Sequence, residues 1–151
     1  MGITVGSIEE YAKHVGEHLG WSDWTTVTQE QVNLFADATG DHQWIHVDPE
    51  RAKAGPFGGP IAHGYLTLSL IPVLMAGMVH VEGVRMGVNY GANKIRFPAP
   101  VHVGSEIRLG ATLAEVTEIA GGAQSVVDVT IEERGAAKPS CVAQVVFRYY
   151  L

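Results

Sequence analysis

Apolar positions recur at helical spacing up to Gly83 and at every second residue beyond it. Ser7 to Leu19 reads as a first helix, with Ser7 as cap, Glu9 and Glu10 in the first turn and Gly20 as stop. Its apolar residues are sparse, which predicts a surface position. Trp21 to Val27, rich in aromatic and β-branched residues, suits a first strand. Thr28 opens a second helix with Glu30 near its positive end. Val32, Leu34, Phe35 and Ala38 form its stripe, and Gly40 ends it. Asp48 as cap and Pro49 at the first helical position start a short helix, followed by a loop from Gly55 to Pro60. Ile61 to about Val79 is apolar almost all round, which predicts a long buried helix that Pro72 either kinks or brings to the end of its regular part.

The strand half is regular. Val84, Met86, Val88 and Tyr90 alternate with Arg85, Gly87 and Asn89. Ile107, Leu109, Ala111 and Leu113 form a second row, Val127, Val129 and Ile131 a third, and Cys141, Ala143, Val145, Phe147 and Tyr149 a last one. Gly121-Gly122 and Arg134-Gly135-Ala136 supply turns between them. Helices first and long strands afterwards predict an α+β domain, its helix held against one face of an antiparallel sheet. A hydrophobic helix cupped by such a sheet is the hot-dog shape. No linker, repeat or low-complexity tract divides residues 1–151, so one domain is expected.

Composition narrows the function. The 151 residues are 46% hydrophobic and 17% charged, as in a globular protein. A net charge of −6 argues against nucleic-acid binding, which needs a basic surface. Cys141 is the only cysteine, so no intrachain disulfide forms and a cytoplasmic location is expected. The first residues lack a signal-peptide layout. Gly64 to Val79 is too short for a membrane span and is broken by Pro72 and Gly77.

Titratable groups concentrate between Gly40 and Pro49. Asp41 and His46 in one loop can converge on a water molecule and move a proton to or from carbon. Alternatively, Asp41 only caps a turn and His46 only faces solvent. His42 and His46, four apart with Asp41 and Asp48 nearby, raise metal binding, but a bracketed loop and no clear third ligand count against it. Gly64 stands at the start of the apolar helix, where an unpaired amide can receive a carbonyl oxygen; close helix–sheet packing explains a glycine there equally well. His63 either lines a pocket or caps that helix. Lys94 and Arg96 flank Ile95 and could meet ligand phosphates, or form a solvated strand edge. Gly58-Gly59 lacks the strand and Lys-Ser/Thr of a phosphate loop, Ser69 lacks a nucleophile elbow, and Cys141 falls on an inward row.

Ala38-Thr39-Gly40-Asp41, then His46, then Gly59-Pro60-Ile61-Ala62-His63-Gly64-Tyr65, then Arg96-Phe97-Pro98-Ala99-Pro100-Val101 together resemble the MaoC-like dehydratases, the (R)-specific enoyl-CoA hydratases, in their actinobacterial single-domain form. The resemblance runs from about Trp24 to Tyr149. It implies a hot-dog homodimer joined edge to edge, acyl-CoA at the dimer interface, and no cofactor besides the substrate's own CoA thioester. By position it implies Asp41 and His46 as the dyad that holds the water, and the Gly64 amide as partner of the thioester carbonyl. Gln43, His63, Tyr65, Lys94 and Arg96 are candidate substrate contacts. The family prefers Asn-Pro-Leu/Ile/Val inside the dyad, where this chain has Gln43-Trp44-Ile45. Gln43 keeps the hydrogen-bonding chemistry of Asn at a longer reach.

Two other functions compete. A hot-dog acyl-CoA thioesterase usually carries a carboxylate on its central helix, and Ile61 to Val79 has no Asp or Glu. A non-catalytic acyl-CoA-binding subunit of a dehydratase would not need the retained Asp41 and His46.

Overall fold

The computed structural model describes residues 2–151; Met1 lies outside them. The helical half is β1 (Ile3–Val5), α1 (Ile8–Ala12), β2 (His18–Trp21), β3 (Thr25–Thr26), α2 (Gln29–Thr39), α3 (Trp44–Val47), α4 (Pro49–Lys53), α5 (Gly64–Ser69) and α6 (Ile71–Met75). The strand half is β4 (Val79–Val81), β5 (Met86–Arg96), β6 (Glu106–Ile119), β7 (Gly122–Glu133) and β8 (Cys141–Tyr150). No helix among the described residues is long and apolar enough to cross a membrane.

The main sheet runs β2-β6-β7-β8-β5, with β3 also on β6, and all its pairings are antiparallel. The β6–β7 turn pairs Ile119 with Gly122, and Gly121 takes the left-handed φ of 81° that this tight reversal needs. Inward residues of three strands build the core as the alternation predicts. Ile107, Leu109 and Leu113 of β6, Val127, Val129 and Ile131 of β7, and Cys141, Ala143 and Val145 of β8 are buried. Leu66, Ile71 and Leu74 of α5 and α6 complete that same cluster. An antiparallel sheet closed on helix in this way is the α+β hot-dog architecture.

The predicted long helix is shorter and interrupted. It begins at Gly64, not Ile61, because Ile61 bridges to His102 and its neighbour Ala62 donates to Val101 O. It breaks between Ser69 and Ile71, where Pro72 removes the amide that would continue the ladder. It ends at Met75, and Val79 already belongs to β4, which pairs in parallel with β1. Nor is it apolar and buried all round: Tyr65 is 69% and Val73 65% exposed.

The first helix also differs from expectation. It spans only five residues, because the Gly16 amide bonds Leu113 O and draws the chain onto β6. Its Ser7 cap accepts from the Glu10 amide as read. Tyr11 anchors it in the core, fully buried with its hydroxyl 3.0 Å from Ser125 Oγ, so the helix is not merely a surface element. The expected strand Trp21–Val27 divides into the ends of β2 and β3. Within α2, Val32 and Ala36 are the buried positions, while Leu34 is exposed. The row Met86, Val88 and Tyr90 lies on the exposed edge strand β5, outside the core.

Candidate active site

The site is assembled where α2 hands the chain to α3. Thr28 caps α2 by accepting from the Gln31 amide. At its other end Gly40, at φ 81°, turns the chain out of the helix and returns its amide to Ala36 O. Asp41 follows, exposed, its Oδ1 accepting the Gln43 amide at 3.3 Å. The segment after it is not all loop: Trp44–Val47 forms one helical turn and carries His46 inward to 6% exposure.

Beyond its own helical turn, His46 is held from several sides. Its Nδ1–H donates to the carbonyl of Ile61 at 2.6 Å. Its own carbonyl accepts from Gln29 Nε2 at 2.8 Å. Its ring stacks on His63 at 3.9 Å between centroids. A carbonyl only accepts, so Nδ1 carries the proton and the neutral ring is left with its lone pair on Nε2. Burial pushes the His46 pKa below its ordinary 6.5, and nearby His63 adds to that; the Ile61 bond and the Asp41 charge oppose it.

His63 is buried to 3% exposure. Its Nε2–H donates to the Asp41 carbonyl at 2.9 Å, and its ring also meets Phe35 of α2 at 4.9 Å. It stands at the cap position of α5 without making a side-chain cap bond, and it does not line the cavity beside His46. Of the two roles weighed for it, it keeps the cap position through its backbone, and its side chain is turned to Asp41 and His46 instead of the cavity.

One ring nitrogen from each histidine and an Asp41 carboxylate oxygen lie within 4.8 Å of one another. His63 is thus the third group the sequence did not bring to this cluster. The two imidazole planes are only 23° apart, so their in-plane lone pairs run side by side instead of meeting at one point. A metal at about 2.0–2.1 Å from both would require that meeting point.

His46 and Gly64 line one cavity of about 340 Å³ with Phe57, Thr67, Phe97, Pro98, Pro100 and Ser140. Asp41 stands at the exposed side of the cluster, outside that lining. A Cβ on Gly64 would come within 3.0 Å of the Phe97 ring, so glycine here permits a close approach.

The remaining candidates disperse. Gln43 acts through its backbone, and its side chain makes no hydrogen bond among the described residues. Tyr65 points outward and meets Phe97 edge-on at 6.2 Å. Lys94 and Arg96 are exposed on β5, and Arg96 folds back on the Ile95 carbonyl. His42 turns away to Asp37 at 2.8 Å, whose hydrogen bond raises its pKa. Cys141 is buried in the core.

Sequence reasoning missed Gln29 and Phe97 as members of the site. Gln29 looks like an ordinary first-turn residue, and its reach to His46 O exists only once α3 docks on α2. Phe97 belonged to a motif already noted, Phe97-Pro98-Ala99-Pro100, which marks a fixed loop but not its contact with Gly64.

A family model described as "MaoC like domain" matches residues 10–136. The 3-hydroxyacyl-thioester dehydratase Z of Mycobacterium tuberculosis is 56% identical over 147 residues, covering 97% of each chain. Among solved structures, the monoamine oxidase regulatory protein from Archaeoglobus superposes with a TM-score of 0.77 at 24% identity, covering 100% of this chain and 99% of that one. The (R)-hydratase of A. caviae involved in PHA biosynthesis superposes at 0.71 with 23% identity, covering 88% and 94%. At those identities the two structures speak for the fold.

Proposed function

The chain belongs to the MaoC-like dehydratase family, a group of hydratase/dehydratase lyases, and from that premise we propose that it adds water reversibly to trans-2-enoyl-CoA to give (R)-3-hydroxyacyl-CoA. The observation that carries this is the gathering of Asp41 and His46 within 4.8 Å beside a cavity that also contains Gly64.

Asp41 and His46 hold the water between them. Asp41 activates it, and His46 orients it and shuttles the proton; the His46 tautomer supports this, since Nε2 is free to accept a water hydrogen. The water oxygen bonds to carbon 3 and the thioester carbonyl becomes an enolate. The Gly64 amide, which no backbone carbonyl among the described residues accepts from, stabilises the negative oxygen. The proton released from the water passes through the dyad to carbon 2, and the balance is one water added across one double bond.

The acyl tail runs beside α5 and α6, where Leu68, Ile71, Pro72, Ile95 and Phe147 border a mainly apolar cavity of about 390 Å³. Lys94 and Arg96 at the end of β5 are the cations nearest in sequence to Phe97, and we assign them to the carrier phosphates. No cofactor besides the CoA of the substrate takes part. The protein acts as a cytoplasmic homodimer joined through the β5 edges. Supporting that contact, β5 pairs on one side only and leaves Met86 53% and Tyr90 58% exposed.

The test is loss of enoyl absorbance when the purified protein meets crotonyl-CoA, followed by chiral analysis of the product. Hydration to the (R)-alcohol is expected. Release of free thiol would instead mark a thioesterase, and binding without turnover a non-catalytic subunit; either would overturn the proposal.

A further inference from the structure

We propose that His63 is a positioning residue that holds Asp41 and His46 in register with each other, and not a substrate contact. This rests on the dyad assignment above. The argument begins with how little else fixes Asp41. Its side chain accepts only from the Gln43 amide, and its own amide reaches Thr39 Oγ1 at a long 3.5 Å. Both partners belong to the same short stretch of chain. The bond from His63 Nε2 to Asp41 O, at 2.9 Å, is the hydrogen bond that ties the Asp41 backbone to a distant element.

The same imidazole fixes the second member of the dyad by a different contact. His46 is stacked on it at 3.9 Å, and His63 also meets Phe35 of α2 at 4.9 Å. One buried ring therefore joins the helix that delivers the dyad, both dyad residues, and, through the peptide bond, Gly64. Its backbone is itself fixed, since the His63 carbonyl accepts from the Leu66 and Thr67 amides. A misplacement of about 1 Å between reacting groups can cost on the order of a hundredfold in rate, so such a junction bears on turnover without touching substrate.

The protonation pattern follows from the partners. In the neutral ring, because Nε2–H faces a carbonyl, His63 Nδ1 is the unprotonated nitrogen, and it is buried without a hydrogen-bond partner among the described residues. Leaving a buried acceptor unpaired is unfavourable. The imidazole is held in this tautomer by what its other nitrogen does for Asp41. His46 has the opposite tautomer, Nδ1–H to Ile61 O, so the stacked pair presents one fixed donor on each ring.

Two substitutions separate the donor from the ring. His63→Gln extends an amide N–H to about where Nε2 stood; His63→Phe keeps the flat ring against His46 and Phe35 but donates nothing. On crotonyl-CoA, His63→Phe is expected to lower kcat on the order of ten- to a hundredfold with KM within about twofold. His63→Gln is expected to recover part of that loss, because it restores the donor to Asp41 O but not the stacked ring. Equal rates for His63→Phe and the parent protein, failure of His63→Gln to recover activity in a folded protein, or a rise in KM at unchanged kcat would each overturn the proposal. Should His63→Phe not fold, His63→Asn replaces it, because its amide ends short of Asp41 O.

A second readout does not depend on turnover. Nitrogen chemical shifts of the parent protein are expected to report His63 as the Nε2–H tautomer and His46 as Nδ1–H. An Nδ1–H tautomer at His63 removes the tie to Asp41 and with it the proposal. If the parent protein fails to hydrate enoyl-CoA but has the expected tautomers, the assigned reaction falls while the positioning of the two groups stands.

Discussion

The rings of His46 and His63 stack at 3.9 Å, and each commits a different nitrogen to a backbone carbonyl, Ile61 for the first and Asp41 for the second. A pair held in this way is not two independent side chains. The same carbonyl bond that fixes the His46 tautomer also ties α3 to the Ile61–His102 bridge, and the Ile61 amide returns a bond to Ile45 O, so His46 and the segment leading to Gly64 are held together. Effects of mutation at the site should therefore be far from additive.

Asp41→Asn and His46→Ala are each expected to lower kcat about 10²- to 10⁴-fold, the usual range for loss of a general acid or base. The double variant should be little worse than the poorer single one, because either deletion already stops the same proton transfer. Asp41 is exposed, so Asp41→Asn should change stability by less than about 0.5 kcal/mol. Initial rates on crotonyl-CoA and thermal unfolding check both statements. A single variant that keeps near-normal rates removes that residue from the mechanism.

The pH dependence has a definite sign. Burial holds the His46 pKa below 6.5 in the folded protein, so between that value and 6.5 the unfolded chain binds more protons. Stability from this residue is complete above about pH 6.5 and is lost as the pH falls through the folded pKa. In the proposed mechanism a neutral His46 is also the form able to accept a proton from the water. The acidic limb of kcat/KM should consequently lie below pH 6.5. Comparison with His46→Gln isolates the stability effect: the variant should lose less stability between pH 7 and pH 5 than the parent, as judged by denaturant midpoints. An acidic limb above pH 6.5 would count against His46 as the base.

Much of this molecule could be read before its structure, and the limits have physical causes. Alternation located the buried rows of β6, β7 and β8 because each strand has one face on a continuous core. The same rule failed for Met86, Val88 and Tyr90, since alternation does not tell whether a strand's apolar row meets the core or an open edge. The caps Ser7, Thr28 and Asp48 act as read, being local chemistry. Pro72 marks in the sequence the place where the regular helix kinks or ends, but the start of α5 is set by Ile61 pairing with His102, a tertiary bond that no local pattern carries. His63 was noticed in the sequence for its neighbour Gly64. Its bond to Asp41 crosses from one segment to another and became visible only with both in position.

Cys141 should be unreactive in the native protein. It is fully buried on the inward row of β8, and burial pushes its thiol up to about 11. Near pH 8 the nucleophilic thiolate is scarce and has no path to solvent. A maleimide probe should label it only after denaturation, while Cys141→Ala retains turnover. Rapid native labelling would mean that β8 opens on the timescale of the reaction.

Gly64 admits two explanations from sequence, an amide offered to the substrate or room for packing, and its contact with Phe97 allows them to be separated. An alanine Cβ would come within 3.0 Å of two Phe97 ring atoms, tighter than ordinary contact. Phe97 is 40% exposed and can yield toward solvent, so Gly64→Ala should cost no more than about 1–3 kcal/mol of stability. Phe97→Ala in the same chain removes the ring that the methyl group meets, and stability should return toward that of Phe97→Ala alone. Turnover should not return with it. The methyl group still stands beside the amide that the thioester oxygen must reach, and loss of one such donor typically costs about 10²- to 10³-fold in kcat. Thermal unfolding and crotonyl-CoA rates on the two single variants and the double variant decide between the explanations. Recovery of both stability and rate in the double variant would reduce Gly64 to a packing residue; recovery of stability alone identifies its amide as part of the chemistry.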